Sequence, residues 1–122
     1  MYDIQVDRTQ NLIEATLSGM MTLDEVTAYI ADLKRAFVMN RLRSYAMVID
    51  VSDCPIQQQG MIQAMGTHMA TMPKAHALAI VVGSSLARMQ VRRLFTQPYA
   101  RIFGTVEDAR VWVISGTEPE IR

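Results

Sequence analysis

The sequence predicts a single α/β domain: a mixed, mostly parallel sheet of about five strands that opens with an antiparallel hairpin, with four helices packed on it. Three observations predict this class. Apolar residues alternate with polar ones at the start of the chain, they then recur at helical steps, and short apolar runs separate the later helical segments. Strands that alternate with helices pair in parallel through right-handed crossovers, whereas two strands joined by a tight turn pair antiparallel.

The composition is that of one globular domain. The chain has 122 residues, of which 50% are hydrophobic and 20% are charged, so it can bury a core and does not read as a disordered segment. Lys and Arg together number 12, and so do Asp and Glu. This balance argues against a general nucleic-acid binder. We predict one domain over residues 1–115 and a C-terminal tail over residues 116–122.

The sequence contains no stretch typical of a membrane span or a secretory signal. Its longest apolar run covers residues 77–82, whereas a helix that spans a bilayer needs about 18 apolar residues. The start lacks a basic region followed by an apolar stretch. The single cysteine, Cys54, cannot form an internal disulfide or build a zinc site alone. We therefore expect a cytoplasmic protein with no metal or other cofactor.

The first third of the chain predicts a β-hairpin followed by a helix. Apolar positions alternate on both sides of a polar turn, at Tyr2, Ile4, Val6, Ile13, Ala15 and Leu17. Thr22 and Glu25 then have the spacing of a capping box, which starts a helix. One side of that helix carries an apolar stripe at three- and four-residue steps, formed by Leu23, Val26, Ile30, Leu33 and Phe37.

Three more strands and three more helices complete the predicted order. The strands are short apolar runs at residues 46–51, 77–82 and 99–103. The continuous run at 77–82 suits a central strand that is covered on both faces. One helix follows each strand, and the last of them starts at Thr105, which forms a cap-like pair with Asp108.

This order of elements resembles the STAS domain, in particular its SpoIIAA-like group, over residues 2–113. The matching pieces are Leu17-Ser18-Gly19, Val48-Ile49-Asp50-Val51-Ser52, Val82-Gly83-Ser84-Ser85 and Ile102-Phe103, followed by the helix Thr105–Trp112. The resemblance implies the fold and a regulatory or ligand-binding role without catalysis. The group also resembles, in fold, the Sec14-type lipid-transfer domains, which hold apolar ligands against the sheet.

The resemblance also implies a partner surface. Family members that antagonise anti-sigma factors carry an Asp-Ser-Ser-Gly element at the start of the second helix, where a partner kinase phosphorylates a serine. The matching residues here are Gln57, Gln58, Gln59 and Gly60. Gln58 stands in place of the acceptor serine and cannot accept a phosphoryl group. The loop and the second helix are therefore expected to bind a partner without that phosphorylation switch.

Two further groups of residues are candidates for binding small ligands. Met61, Met65 and Met69 lie four residues apart, so they form either an adaptable wall for a hydrophobic ligand or an ordinary core face. Ser84 and Ser85 precede Arg88 and Arg92 at the start of the third helix. Free amides and two guanidinium groups could hold an anion there, and the alternative is a serine cap with a solvated basic face.

A catalytic role has weaker support in the sequence. Asp50 and Asp53 end a predicted central strand, where open sheets bind ligands, but Asp-Cys-Pro is also good turn chemistry. With His68 they would form an enzyme site only if all three met in one pocket. His76 is not at metal-ligand spacing from His68. We therefore predict no catalytic residue.

Trp112 and Tyr99 are large side chains with polar handles near the end of the chain. They either anchor a dimer or pack the last helix on the sheet. An edge strand or a methionine-rich helix face also invites self-pairing, so a homodimer is a further expectation.

The predicted function is therefore that of a non-enzymatic STAS-like binding domain. Its partner is a protein or a small apolar or anionic ligand, with no nucleic acid and no integral membrane segment. The alternative is a carrier or sensor of a lipid or other hydrophobic ligand.

Overall fold

The fold is a five-stranded sheet with helices on both of its faces. The computed structural model describes residues 1–41, 44–53, 75–94 and 100–116. Their elements are β1 (Tyr2–Asp7), β2 (Leu12–Ser18), α1 (Leu23–Met39), β3 (Ala46–Asp53), β4 (Ala77–Val81), α2 (Ser85–Leu94), β5 (Ala100–Phe103) and α3 (Val106–Ser115). The described residues thus contain three helices, and the fourth predicted helix, at residues 61–69, lies outside them.

The strands follow one another in the sheet in the same order as in the chain, β1-β2-β3-β4-β5. β1 and β2 pair antiparallel, with Tyr2 opposite Leu17 and Asp7 opposite Leu12, and the register is continuous between these ends. Each later pair is parallel. The mixed, mostly parallel sheet that opens with a hairpin is therefore confirmed.

The larger part of the core lies on the face of the sheet that α1 covers, called the α1 face. Inward residues of β2, β3 and β4 pack here against α1, and half-buried side chains of β1 lie at its margin. The predicted stripe of α1 is correct except for Leu23, which is 59% exposed. Residues advance about 100° around a helix at each step. The buried side of α1 includes Tyr29, and its middle lies between the directions of Val26 and Leu33. Leu23 therefore points to the margin of that side.

The opposite face of the sheet, called the α3 face, is covered by the last helix. Ala109 and Val113 of α3 are buried against inward residues of β3, β4 and β5. The ring of Trp112 packs against Phe103, with 5.7 Å between the ring centroids. Of the two predicted roles for Trp112, the structure therefore supports packing of the last helix on the sheet.

The predicted helix starts are confirmed at both capped helices. Thr22 accepts a hydrogen bond from the Glu25 amide, and the Glu25 carboxylate accepts one from the Thr22 amide, which completes the capping box. Thr105 accepts from the Asp108 amide at the start of α3. α3 ends at Gly116, whose φ of 73° lies in the left-handed region that favours glycine. Among the described ranges, no helix has both the length and the hydropathy to cross a membrane.

Candidate functional site

The carboxyl ends of the parallel strands meet at one edge of the sheet, where open α/β sheets bind their ligands. The Gly19 amide, just after β2, donates to the carbonyl of Asp53 at the end of β3, at 3.3 Å. The Val82 amide donates to the carbonyl of Phe103 at the end of β5, at 3.0 Å. These bonds extend the sheet contacts into the loops that follow the strands.

At this edge we define the strand-end surface by five residues: Asp50, Ser52, Asp53, Ser84 and Arg88. The first three close β3, and the last two lie at the start of α2. Ser52, Asp53 and Ser84 are exposed, whereas Asp50 and Arg88 are half-buried. The surface is therefore accessible and polar, with charges of both signs.

The carboxylate of Asp50 is hydrogen-bonded to a residue of the same strand, β3. One oxygen of its carboxylate, Oδ1, accepts hydrogen bonds from the Ser52 amide at 3.0 Å and from the Ser52 hydroxyl at 2.6 Å. This is the turn chemistry that the sequence offered as the alternative to a catalytic role. Asp50 therefore fixes the position of Ser52 at the end of β3.

Gly83 brings the start of α2 against the end of β3. A Cβ atom built on Gly83 would lie 2.6 Å from the carbonyl oxygen of Ser52, a distance that real Cβ contacts do not adopt. The absence of a side chain is what allows the two backbones to touch. The contact brings the loop before Ser84 against Ser52, although the two serines are about 30 positions apart in sequence.

The start of α2 agrees with both predicted interpretations of its serine and arginine residues. The carbonyl of Ser84 accepts from the Arg88 amide at 3.0 Å, so Ser84 occupies the N-cap position. The first turn of α2 carries no acidic residue, so no carboxylate of the helix itself offsets the partial positive charge at its start. Arg92 lies in the last turn, where a cation is favourable without any ligand. Anion binding by Ser84, Ser85, Arg88 and Arg92 stays a prediction.

Several predicted site residues lie outside the described part of the chain. These are the loop Gln57, Gln58, Gln59 and Gly60, the methionines Met61, Met65 and Met69, and also Cys54, His68 and Tyr99. Their roles stay predictions. His76 is described, and its Nδ1 lies 3.1 Å from the Ser44 hydroxyl, beside the amino end of β4. That places it at the opposite end of the strands from Asp50 and Asp53.

Within the described residues, no group of three or more His, Cys, Asp or Glu side chains is arranged to hold a metal ion. Two open clefts do lie beside the hairpin. One, of about 540 Å³, separates β1 from the last turns of α1. The other, of about 320 Å³, lies between the hairpin and α3. None of the predicted site residues that the structure describes lines either cleft.

Two side-chain contacts across these clefts have no counterpart in the sequence analysis. The Tyr2 hydroxyl donates to Asp32, and this hydrogen bond raises the pKa of Tyr2. Arg110 of α3 donates to both carboxylate oxygens of Glu14, and the bond from Nη2 to Oε2 measures 2.8 Å. The Glu14 carboxylate raises the pKa of Arg110. Glu14 and Arg110 are 96 residues apart, and no local pattern signals a pair at that separation.

The strand order, the antiparallel opening pair and the placement of the helices define the SpoIIAA-like fold of STAS domains. Solved structures of that fold superimpose on nearly the whole chain. An uncharacterised protein of the DUF3478 family with a SpoIIAA-like fold, from Shewanella loihica PV-4, matches with a TM-score of 0.69 and 15% sequence identity. The match covers 92% of this chain and 93% of that one.

Two anti-sigma factor antagonists also match. An anti-sigma factor antagonist from Mycobacterium paratuberculosis has a TM-score of 0.67 and 15% identity, and the match covers 93% of this chain and 94% of that one. The unphosphorylated form of the anti-sigma factor antagonist SpoIIAA has a TM-score of 0.62 and 11% identity, with 96% and 100% covered. No protein-family profile matches the sequence, and no curated protein matches it significantly. At these identities the likeness establishes the fold.

Proposed function

We propose that this chain is a non-enzymatic regulatory domain that acts by binding a protein partner. The observation that carries the proposal is the fold, which is shared from end to end with two proteins named as anti-sigma factor antagonists. The proposal keeps the expectation of a cytoplasmic protein, which rests on the single cysteine.

The proposed contact surface joins the strand-end surface to the loop Gln57–Gly60, which follows β3 in the chain. Two features support this placement. The carboxyl ends of the strands are where this class of sheet presents its loops, and the strand-end surface carries charges of both signs, with Asp53 exposed and Arg88 half-buried. The hydrogen bonds from the Ser52 amide and hydroxyl give the Asp50 carboxylate a structural role, which is to shape the end of β3 at this surface.

In this proposal, phosphorylation of the loop Gln57–Gly60 does not control binding of the partner. Gln58 replaces the serine that the family resemblance puts there, and an amide side chain offers no hydroxyl to a kinase. Binding would then depend on the concentration of the partner or on another signal. Ser52 is exposed nearby, but it does not match the acceptor position.

Affinity capture with surface variants tests the proposal. The double variant Asp53→Arg with Arg88→Glu reverses two charges on the strand-end surface. The control, Lys34→Glu, reverses an exposed charge on α1, away from the strand-end surface. We expect a partner that is retained by the wild type and the control and lost by the double variant, since surface charges steer and orient association. The captured protein, once purified, should form a complex of fixed stoichiometry by calorimetry.

Native mass spectrometry of the freshly purified protein tests the alternative of a hydrophobic-ligand carrier. An excess mass that disappears on denaturation, together with no stoichiometric protein partner, would replace the proposal with that alternative. A partner retained equally by all three proteins would contradict the proposed surface.

A further inference from the structure

Among the described strands, β1 pairs along one edge only. β2 occupies its other edge in a regular register over all six residues, without a bulge. Within the described ranges, no strand pairs with the outer edge. Proteins protect such edges with proline, a bulge or charged side chains, lysine above all. The sequence of β1, Tyr-Asp-Ile-Gln-Val-Asp, contains neither proline nor lysine, and its charged residues are Asp3 and Asp7. The outer edge of β1 is therefore able to accept another strand.

The backbone pattern shows which residues would bind that strand. Met1 and Ser18 exchange two hydrogen bonds, of 2.8 and 3.0 Å. In an antiparallel pair, hydrogen-bonded and non-hydrogen-bonded positions alternate. The odd-numbered residues of β1 therefore bond to β2, and the N–H and C=O groups of Tyr2, Ile4 and Val6 point toward the free edge.

We infer that a second copy of this chain pairs with this edge, β1 to β1 and antiparallel, about a two-fold axis that passes midway between the two copies of Ile4. Each Ile4 then lies opposite its counterpart, and Tyr2 lies opposite Val6. All of these positions carry outward backbone groups. The result is one continuous sheet through two five-stranded halves.

The side chains of β1 are complementary to themselves in this register. On the exposed face, Asp3 of one copy lies opposite Gln5 of the other, an acceptor against a donor. The two residues already form such a bond within one chain, from Gln5 Nε2 to Asp3 at 3.0 Å. A register centred on Gln5 would set Asp3 opposite Asp7, and like charges directly opposite are destabilising. Charge thus selects the register centred on Ile4.

Apolar surface on the α1 face supports the same pairing. Tyr2, Ile4 and Val6 point toward the core but are only half-buried. The cleft beside them, of about 540 Å³, is also lined by Met39, which is 72% exposed. A two-fold axis normal to the sheet keeps both α1 faces on the same side. The side chains of the second copy would therefore cover this apolar surface.

The dimer is independent of the proposed function. The dimer interface would be formed by the outer edge of β1, and the carboxyl ends of β3 and β4 would stay accessible to a partner. Failure of the dimer would leave the proposed partner surface standing, and failure of partner capture would leave the dimer standing.

Sedimentation velocity on the full chain tests the inference, over about 1 µM to 1 mM, a range suited to a small interface. We expect a reversible monomer–dimer equilibrium. Ile4→Pro removes an N–H that points away from β2, so the β1–β2 ladder is retained. It removes one interchain hydrogen bond per copy, and we expect dimerisation to weaken by at least about tenfold. Ile4→Ala, which keeps the N–H, is the control and should dimerise more tightly than Ile4→Pro.

Single cysteines test the register in a Cys54→Ser background. Asp3→Cys and Gln5→Cys, when mixed under mild oxidation, should form a mixed disulfide several-fold faster than either variant forms one alone. The two positions are a non-hydrogen-bonded pair about 4.5 Å apart at Cα, which a disulfide can bridge. A monomer at every concentration, a dimer unaffected by Ile4→Pro, or equal cross-linking of all combinations would each overturn the inference.

Discussion

The hydroxyl of Tyr29 is the one buried side-chain polar atom that has no hydrogen-bond partner within the described residues. Tyr29 is fully buried on the α1 face, where the ring of Tyr2 packs edge-on against it, with 5.5 Å between the ring centroids. A buried hydroxyl without a partner costs about 1–3 kcal/mol of desolvation. Burial also raises the pKa of Tyr29, because the low-polarity core disfavours the phenolate.

Tyr29→Phe should therefore leave the protein as stable as the wild type or more stable, by about 1 kcal/mol. The difference in stability between the variant and the wild type should depend on pH. The folded protein holds Tyr29 as the neutral phenol, so its pKa is higher in the folded state than in the unfolded state. The stability of the wild type is therefore unaffected by this group below the ordinary pKa of about 10, and it falls as pH rises from there toward the folded pKa. Urea unfolding at pH about 8 and about 11 should show a shallower alkaline decline for the variant. A loss above about 1 kcal/mol at neutral pH would mean that the hydroxyl has a partner.

Gly83 gives a second prediction for a single residue. In Gly83→Ala the new methyl group would meet the Ser52 carbonyl, and the end of β3 and the start of α2 would have to separate. We expect destabilisation of roughly 1–3 kcal/mol, as for other overpacked sites. Gly104→Ala is the matched control, because a Cβ there would meet no atom within 4 Å. Thermal melts that shift equally for the two variants would contradict the close contact.

At the scale of single elements, α1 depends on its start. The capping box of Thr22 and Glu25 satisfies amides that the helix itself leaves free. Thr27, one turn later, is exposed, and its hydroxyl donates only to the carbonyl of Leu23. The two threonines therefore have opposite effects on the same helix.

Thr22→Ala should lower the free energy of unfolding by about 1 kcal/mol, since an N-cap side chain is lost. Thr27→Ala should change it little or raise it by a few tenths of a kcal/mol, because alanine is the better helix former in a helix interior. Chemical denaturation of both variants measures the difference. Equal effects would show that the capping box contributes little in the folded protein.

Elements whose signals are local could be predicted from sequence. The alternation of β1 and β2, the capping box of α1 and the apolar run of β4 each lie within a few residues, and each produced the predicted element. The exposure of Leu23 was missed because spacing alone does not show where the buried arc of a helix is centred. That centre depends on Tyr29, whose burial is set by the sheet beneath it.

For the whole molecule, the fold could be predicted because strand and helix order restricts the possible topologies to very few. The site could be predicted only in outline. The order of elements placed Asp50 and Ser84 at the ends of neighbouring strands, but the contact between Gly83 and Ser52 and the pair of Glu14 with Arg110 depend on atoms far apart in sequence. Such contacts become visible only when the sheet is assembled.

The strand order has a consequence for biosynthesis. Because neighbours in the sheet are also neighbours in the chain, a ribosome delivers the strands in the order in which they dock, and no strand has to wait for a later one. The α3 face is the exception. α3, which covers it, follows all five strands in the chain, so a nascent chain exposes the alanines and valines of that face until α3 has emerged. During that interval a chaperone that binds apolar surface would find a binding site there.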